Sequence, residues 1–151
     1  KGMGCPIGSV LLGSEKDIWY ARNMRKMLGG GLRQSGMTAV CALVALEDWE
    51  EKLKEDNANA RWIAKELNDL QGVSCDVEGV HTNMFNFMLD PKIAKKLDHA
   101  SLCGVLREKH DILTFPSFQN DAIRIVTHRD VDAKDMEITR DAIKSVLKDY
   151  V

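Results

Sequence analysis

The spacing of hydrophobic positions changes along this chain, and the change predicts a helical first part followed by a mixed second part. An apolar run at Gly8 to Gly13 is typical of a strand buried on both faces. Helical spacing follows, with Ser14 as a cap for a helix through Met27 that ends at Gly29 to Gly31. Ser35 begins a second helix, and a third runs from Asn57 to Leu70, with Gly72 beyond its end. The first third is therefore predicted to be strand, helix, helix.

Beyond Gly72 the pattern predicts short strands and further helices. Asn83 to Leu89 is the clearest strand, because Phe85, Phe87 and Leu89 alternate with Met84, Asn86 and Met88. The other predicted strands are Val73 to Val77, Ile112 to Phe115 and Ala122 to Thr127. A helix over Lys92 to Glu108 is expected to break near Asp98. Asp132 is predicted to cap a last helix, whose apolar face consists of Ile143, Val146, Leu147 and Tyr150. This pattern of short strands and helices predicts a small α+β unit.

The boundary between the two parts is predicted near residue 53. Residues 1–52 would form the end of one domain, and residues 53–151 a second, smaller domain. The boundary falls inside a helical region without a proline- or glycine-rich linker.

Composition and charge narrow the class of protein. The chain has 151 residues, of which 44% are hydrophobic and 29% charged, as in a soluble globular protein. With a net charge of -2, the chain as a whole does not attract nucleic acid or an anionic membrane electrostatically. No apolar run in the sequence is long enough to span a bilayer. The four cysteines are far apart, which argues against zinc and favours a reduced, cytoplasmic protein. We expect no metal, no nucleic acid and no membrane among its ligands.

Two cation-bearing segments flank the first predicted helix. Lys1-Gly-Met-Gly-Cys-Pro-Ile-Gly-Ser9 places a primary amine before glycines 2, 4 and 8, which permit close approach or positive φ. Arg25-Lys-Met-Leu-Gly-Gly-Gly-Leu-Arg-Gln34 surrounds three glycines with positive charge. Guanidinium groups suit phosphate oxygens, and glycines let the backbone approach them. A third segment, Ile123-Arg-Ile-Val-Thr-His-Arg-Asp-Val131, sets Arg124 inside a strand, where a charge needs a partner or an open cleft.

These three segments, in this order, resemble the C-terminal half of an L-threonine aldolase. That family consists of pyridoxal 5'-phosphate (PLP) enzymes of the aspartate-aminotransferase fold, fold type I. The resemblance implies an α/β chain: part of a PLP-binding large domain, then a small C-terminal α+β domain. The family has a long segment before the lysine, so we expect an upstream half of the same protein. That half would carry the ring-stacking histidine, the aspartate for the pyridine nitrogen and most phosphate ligands.

The resemblance also implies roles for four residues. Lys1 would be the catalytic lysine that carries PLP, since a primary amine is required to form an imine. Arg33 would approach the cofactor phosphate from a neighbouring subunit, and Lys26 would add charge there. Arg124 would bind the α-carboxylate of the substrate through a bidentate fork. The alternatives are a solvated amine at Lys1, solvent-exposed cations at Arg33 and Lys26, and an edge-strand Arg124 paired with a local carboxylate.

The implied activity is that of a lyase cleaving L-threonine or L-allo-threonine to glycine and acetaldehyde. The resemblance implies that the protein takes part in threonine catabolism or glycine biosynthesis in the cytoplasm. It also implies a dimer or homotetramer with an active site shared between subunits. Another fold-type-I PLP lyase or transaminase is an alternative, because a lysine and a carboxylate-binding arginine serve many reactions. A non-catalytic dimerisation module of the same fold is a second alternative. His128 is expected to make structural hydrogen bonds rather than to act as a base.

Overall fold

The computed structural model describes residues 2–117 and 121–151, and they divide into two compact units, Lys1–Trp49 and Glu50–Val151. The division into a large-domain portion and a small domain at residue 53 stays a prediction. Among the helices of the described ranges, none has both the length and the apolarity needed to cross a bilayer.

The first unit contains two helices, α1 (Glu15–Met27) and α2 (Gly36–Ala45). Ser14 caps α1 as predicted, since its hydroxyl oxygen accepts from the Asp17 backbone N–H at 3.2 Å. Ser35 occupies the N-cap position of α2, although its side chain makes no capping hydrogen bond. Helix α2 is mostly apolar, yet only Ala45 is buried in it.

The predicted strand at Gly8 to Gly13 is wrong for the described part of the chain. Residues 7–14 form no regular secondary structure, and Val10, Leu11 and Leu12 are exposed, Leu12 to 87%. A strand is defined by hydrogen bonds to a neighbouring strand, and none of the described strands pairs with this segment. The run is apolar, as predicted, but it forms no strand pair with any described segment.

The second unit is a four-stranded antiparallel sheet with helices on one face. Its strands are β1 (Val73–Cys75), β2 (Met84–Leu89), β3 (Phe115–Pro116) and β4 (Ile123–Val126), in the order β1-β2-β4-β3. Its helices are α3 (Trp49–Asn68), α4 (Pro91–Ala94), α5 (His99–His110) and α6 (Ala133–Leu147). Helix α3 begins eight residues before the predicted start at Asn57, and β3 begins at Phe115 rather than at Ile112.

The core lies between the sheet and helices α3, α5 and α6. Phe87, Ile123, Ile63, Leu102 and Ile143 are completely buried there. The alternation predicted for β2 is confirmed, because Phe85, Phe87 and Leu89 are buried while the residues between them are exposed. One face of the sheet is therefore packed and the other is open, as in a two-layer α+β unit.

Caps place the helices of this layer where the sequence predicts them. Asp98 accepts from the Ser101 backbone N–H at 2.7 Å and starts α5, which confirms the predicted break. Asp132 and Asp135 form a reciprocal capping box at the start of α6.

Candidate functional site

The glycine-rich first segment forms a turn that contacts α2. Gly4 and Gly8 adopt φ of +91° and +120°, values that favour glycine because a side chain would be strained there. Cys5 is buried, and its thiol donates to the Cys41 backbone carbonyl at an Sγ–O distance of 3.6 Å. The turn is thereby tied to α2. Lys1 lies outside the described residues, so its role stays a prediction.

Lys26 lies in the last turn of α1 and folds over the glycine loop. A Cβ atom at Gly31 would lie 2.9 Å from Lys26 Cδ and 3.5 Å from Lys26 Nζ. Glycine at this position therefore lets the aliphatic stem and ammonium group rest directly against the backbone. The result is a positive charge at a loop whose backbone is open to close approach.

Arg33 follows this loop and precedes α2 by three residues. Its side chain is exposed, and within the described ranges no carboxylate forms an ion pair with it. The next residue, Gln34, has a positive φ of 56°, so the chain turns sharply at this point. Arg33 and Lys26 thus belong to one short segment of the first unit, and both are available to an anion.

Arg124 lies on β4, which is an interior strand between β2 and β3. The alternative of an edge-strand arginine is therefore wrong. Its neighbours Ile123 and Ile125 are buried, whereas Arg124 points to the open face. Across the whole described part of the chain, no carboxylate lies within ion-pair distance of its guanidinium.

We call this open side of the sheet the outer face. It carries mostly apolar side chains, and its members are Ser74, Met84, Asn86, Met88, Phe115, Arg124 and Val126. Arg124 is the one charged residue among them. Asn86 of β2 and Phe115 of β3 lie directly opposite Arg124 in the strand register. A lone unpaired guanidinium on an apolar surface is suited to bind an anion that brings apolar groups with it.

The backbone of β4 is fixed by Thr127, which is completely buried. Its hydroxyl donates to the Asp56 carbonyl of α3 at 2.7 Å, and its N–H donates to the Asn83 carbonyl at 2.9 Å. The Asn83 amide donates in return to the Thr127 carbonyl at 2.6 Å. These bonds join β4 to both β2 and α3, so the strand that carries Arg124 is held firmly.

His128 belongs to the turn after β4 rather than to the outer face. Its Nδ1 accepts from the Asp130 backbone N–H at 3.3 Å, in accord with the structural role expected for it. Burial raises the pKa of the Asp56 carboxyl, and His128 opposes that rise electrostatically. Within the described ranges, no group of three or more His, Cys, Asp or Glu side chains is arranged to hold a metal ion.

Asn86 is a residue of this site to which the sequence analysis gave no role. The alternation of β2 assigned it to the same face as Met84 and Met88. Its position opposite Arg124 depends on the register of two strands separated by more than 30 residues, which the alternation alone does not specify.

The chain thus combines a glycine-rich cationic segment in its first unit with a two-layer α+β second unit. A sequence profile of the beta-eliminating lyases matches residues 1–90. The chain therefore belongs to the beta-eliminating lyase family.

Relatives in this family include two threonine aldolases. Low-specificity L-threonine aldolase 1 of Arabidopsis thaliana is 37% identical over 139 residues, which is 92% of the chain and 38% of that protein. Low specificity L-threonine aldolase of Escherichia coli (strain K12) is 35% identical over 136 residues, or 90% of the chain and 37% of that protein. The chain thus spans less than two fifths of the length of each.

A solved structure confirms the predicted fold. The complex between the cystine C–S lyase C-DES and its reaction product cysteine persulfide superposes with a TM-score of 0.59 at 20% identity. The match covers 73% of this chain and 28% of that chain. The expected fold class, an α/β chain with a small α+β unit, is therefore correct.

The residues present fit the cofactor that this family implies. Lys26 and Arg33 supply cations beside a glycine loop, and the absence of a side chain at Gly31 lets the Lys26 ammonium group lie close to the backbone of that loop. Arg124 is separate from them along the chain and lies in the second unit. Its open, unpaired guanidinium is able to form a bidentate pair with an oxyanion such as a carboxylate.

Proposed function

We propose that the protein is a PLP-dependent aldehyde-lyase that cleaves L-threonine or L-allo-threonine to glycine and acetaldehyde. The names of the two threonine aldolases that the chain resembles over about nine tenths of its length support this assignment. The observation that carries it is Arg124, an unpaired guanidinium on an interior strand of a mostly apolar open face.

In this proposal four cationic residues of the chain have defined roles. Lys1 holds the cofactor through its side-chain amine. Arg33 and Lys26 bind the cofactor phosphate, and Arg33 serves the site of a neighbouring subunit. Bound PLP supplies an electron sink for the bond that breaks at the α-carbon. Arg124 holds the α-carboxylate and so orients the substrate for that step.

The overall reaction breaks one carbon–carbon bond and moves two protons. The Cα–Cβ bond breaks, the β-hydroxyl loses its proton to a base and becomes the aldehyde oxygen, and Cα gains a proton to give glycine. We assign that base to no residue of this chain. The chain's own contribution is to bind and orient the substrate, which lowers the barrier by fixing its geometry.

Oligomerisation and location are part of the same proposal. Helix α2 is mostly apolar but has a single buried residue, which favours its burial against another surface and supports a dimer or tetramer. All four cysteines are free thiols, which supports a reducing compartment such as the cytoplasm.

Replacement of Arg124 tests the assignment. In the intact protein we expect Arg124→Ala to lower kcat/KM for threonine by tens to thousands of fold, since losing a charge-assisted fork costs about 2–5 kcal/mol. Arg124→Lys should restore only part of the loss, because an ammonium group makes no paired contact. Arg107→Ala, which removes an exposed arginine from the last turn of α5, is the matched control.

Steady-state kinetics with threonine, allo-threonine and cystine provide the measurement. An Arg124→Ala protein within about twofold of wild type, roughly 0.4 kcal/mol, would reject the carboxylate role. Faster turnover of cystine than of threonine by the wild-type protein would instead favour another lyase of this fold. A protein that binds PLP but turns over none of the three would favour the non-catalytic module.

A further inference from the structure

Two polar side chains lie next to each other on the outer face and are surrounded mainly by apolar side chains. Apart from Ser74 at its margin, Asn86 and Arg124 are the polar members of this face. Met84 and Met88 flank Asn86 along β2, and Val126 follows Arg124 along the same face of β4. A polar pair of this kind can contact a small ligand at two points.

The strand register brings the two side chains together. Asn86 and Arg124 are direct partners in the antiparallel β2–β4 pair, so both project to the same side. The Cβ atoms of directly opposed residues lie about 4.5–5.5 Å apart. An amide and a guanidinium at that separation can both reach one carboxylate, which is only a few ångströms across.

The fold itself gives no reason for an amide at this position. Asn86 is exposed, and its side chain makes no hydrogen bond to any described residue. The Cys75 thiol approaches the Asn86 backbone carbonyl, an acceptor that any residue would supply. The side chain is thus free to bind a ligand, as is the guanidinium opposite it.

We propose that Asn86 is a positioning residue that donates from Nδ2 to the same carboxylate that Arg124 holds. This inference rests on the proposed function, because it takes an α-amino acid as the ligand. The guanidinium fork fixes the plane of the carboxylate through two parallel hydrogen bonds. A third donor from the neighbouring strand fixes its tilt, and with it the direction of the bonds at the α-carbon.

The test compares Asn86→Ala and Asn86→Asp in the intact protein loaded with PLP. Asn86→Ala should lower kcat/KM for threonine about 10- to 100-fold, the usual effect of losing a hydrogen bond to a charged group. Asn86→Asp should lower it further, because a second carboxylate repels the substrate and competes for Arg124. The loss should appear in kcat as well as in KM, because the amide orients the carboxylate in addition to binding it.

A pair of inhibitors separates positioning from folding. Glycine carries a carboxylate, whereas ethanolamine carries a hydroxymethyl group in its place. Asn86→Ala should weaken inhibition by glycine about tenfold or more and leave inhibition by ethanolamine within twofold. Arg107→Ala, an exposed substitution in the last turn of α5 and outside the outer face, is the control and should leave both unchanged.

The outcomes distinguish this inference from the proposed function. If Arg124→Ala loses activity while Asn86→Ala stays within twofold of wild type, Asn86 has no positioning role and the proposed function stands. Equal losses of glycine and ethanolamine binding in Asn86→Ala would show a purely structural effect and overturn the inference. If Arg124→Ala is itself active, the carboxylate site fails and this inference fails with it.

Discussion

At the scale of single residues, the predicted cations differ in their surroundings. Lys26 is held against the backbone of Gly31, whereas Arg33 is exposed beyond the same loop. A lysine that is already in place adds a fixed positive charge, while an exposed arginine retains its donors for a partner. Of these two residues, Arg33 is therefore the one whose loss should weaken phosphate binding more.

Arg33→Ala should weaken the retention of PLP about 10- to 100-fold, because hydrogen bonds to charged groups contribute about 1.5–3 kcal/mol. Equilibrium dialysis of the intact protein, followed by absorbance of the released cofactor, measures this. Arg22→Ala, which removes an exposed arginine of α1, is the control. The phosphate role is wrong if Arg33→Ala holds PLP as tightly as wild type, or if thermal unfolding changes more than PLP binding does.

At the scale of elements, the capped start of α5 determines how this helix responds to acid. The Ser101 backbone N–H bonds the Asp98 carboxylate at 2.7 Å and lowers the pKa of Asp98 below its ordinary value. A carboxyl whose folded pKa is below its unfolded pKa stabilises the folded state above about pH 4. That contribution is lost as the pH falls through the folded pKa.

Asp98→Asn should therefore make the protection of α5 less dependent on pH below about 4. Asparagine keeps the capping oxygen but does not ionise, so only the charge-dependent part of the cap is removed. Hydrogen exchange of the α5 amides between pH 2.5 and 6 is the measurement. Asp111→Asn, at the opposite end of α5, is the control and should respond to acid as wild type does. An identical acid response in Asp98→Asn and wild type would contradict the prediction.

At the scale of the whole molecule, the two units bury apolar residues to very different extents. Among the described residues that are both buried and hydrophobic, only Cys5 and Ala45 belong to the unit Lys1–Trp49. The second unit has a continuous core between its sheet and its helices. In the first unit Met37 is 84% exposed and Leu28 80% exposed, together with much of α2. Large exposed apolar surfaces favour association.

Residues 1–151 expressed by themselves should therefore self-associate more strongly than residues 50–151. Sedimentation velocity and fluorescence of an apolar dye measure the two properties. Val40→Ser with Val44→Ser, both on exposed positions of α2, should reduce association of the longer chain without changing the core of the second unit. A longer chain that is monomeric and binds no more dye than residues 50–151 would refute the prediction.

Much of the second unit could be predicted from the sequence because its signals are local. The alternation of Phe85, Phe87 and Leu89 identified β2 and its buried face, and this depends only on the period of an extended chain. Asp98 and Asp132 identified two helix starts, because a cap acts within three residues of itself. The three segments that carry the family resemblance are also contiguous in sequence.

Pairing between distant segments could not be predicted in the same way. The run at Gly8 to Gly13 has the composition of a buried strand, but composition does not supply the neighbour that makes a strand. The interior position of β4 and the register that joins Asn86 to Arg124 follow from hydrogen bonds between strands far apart in sequence. A shift of one residue would move every side chain to the other face, so register is decided by packing of the whole core.

The sequence by itself thus determined the helices, the alternating strand and the family, while the tertiary structure decided which side chains lie together. The sequence predicts only that Arg124 is a charged residue in a strand. The structure shows that this strand is interior, that Arg124 lies on its open face and that Asn86 is its neighbour. The physical reason is the range of the interactions. Caps and periodicity act over a few residues, whereas the outer face is assembled by strands that only a packed core brings together.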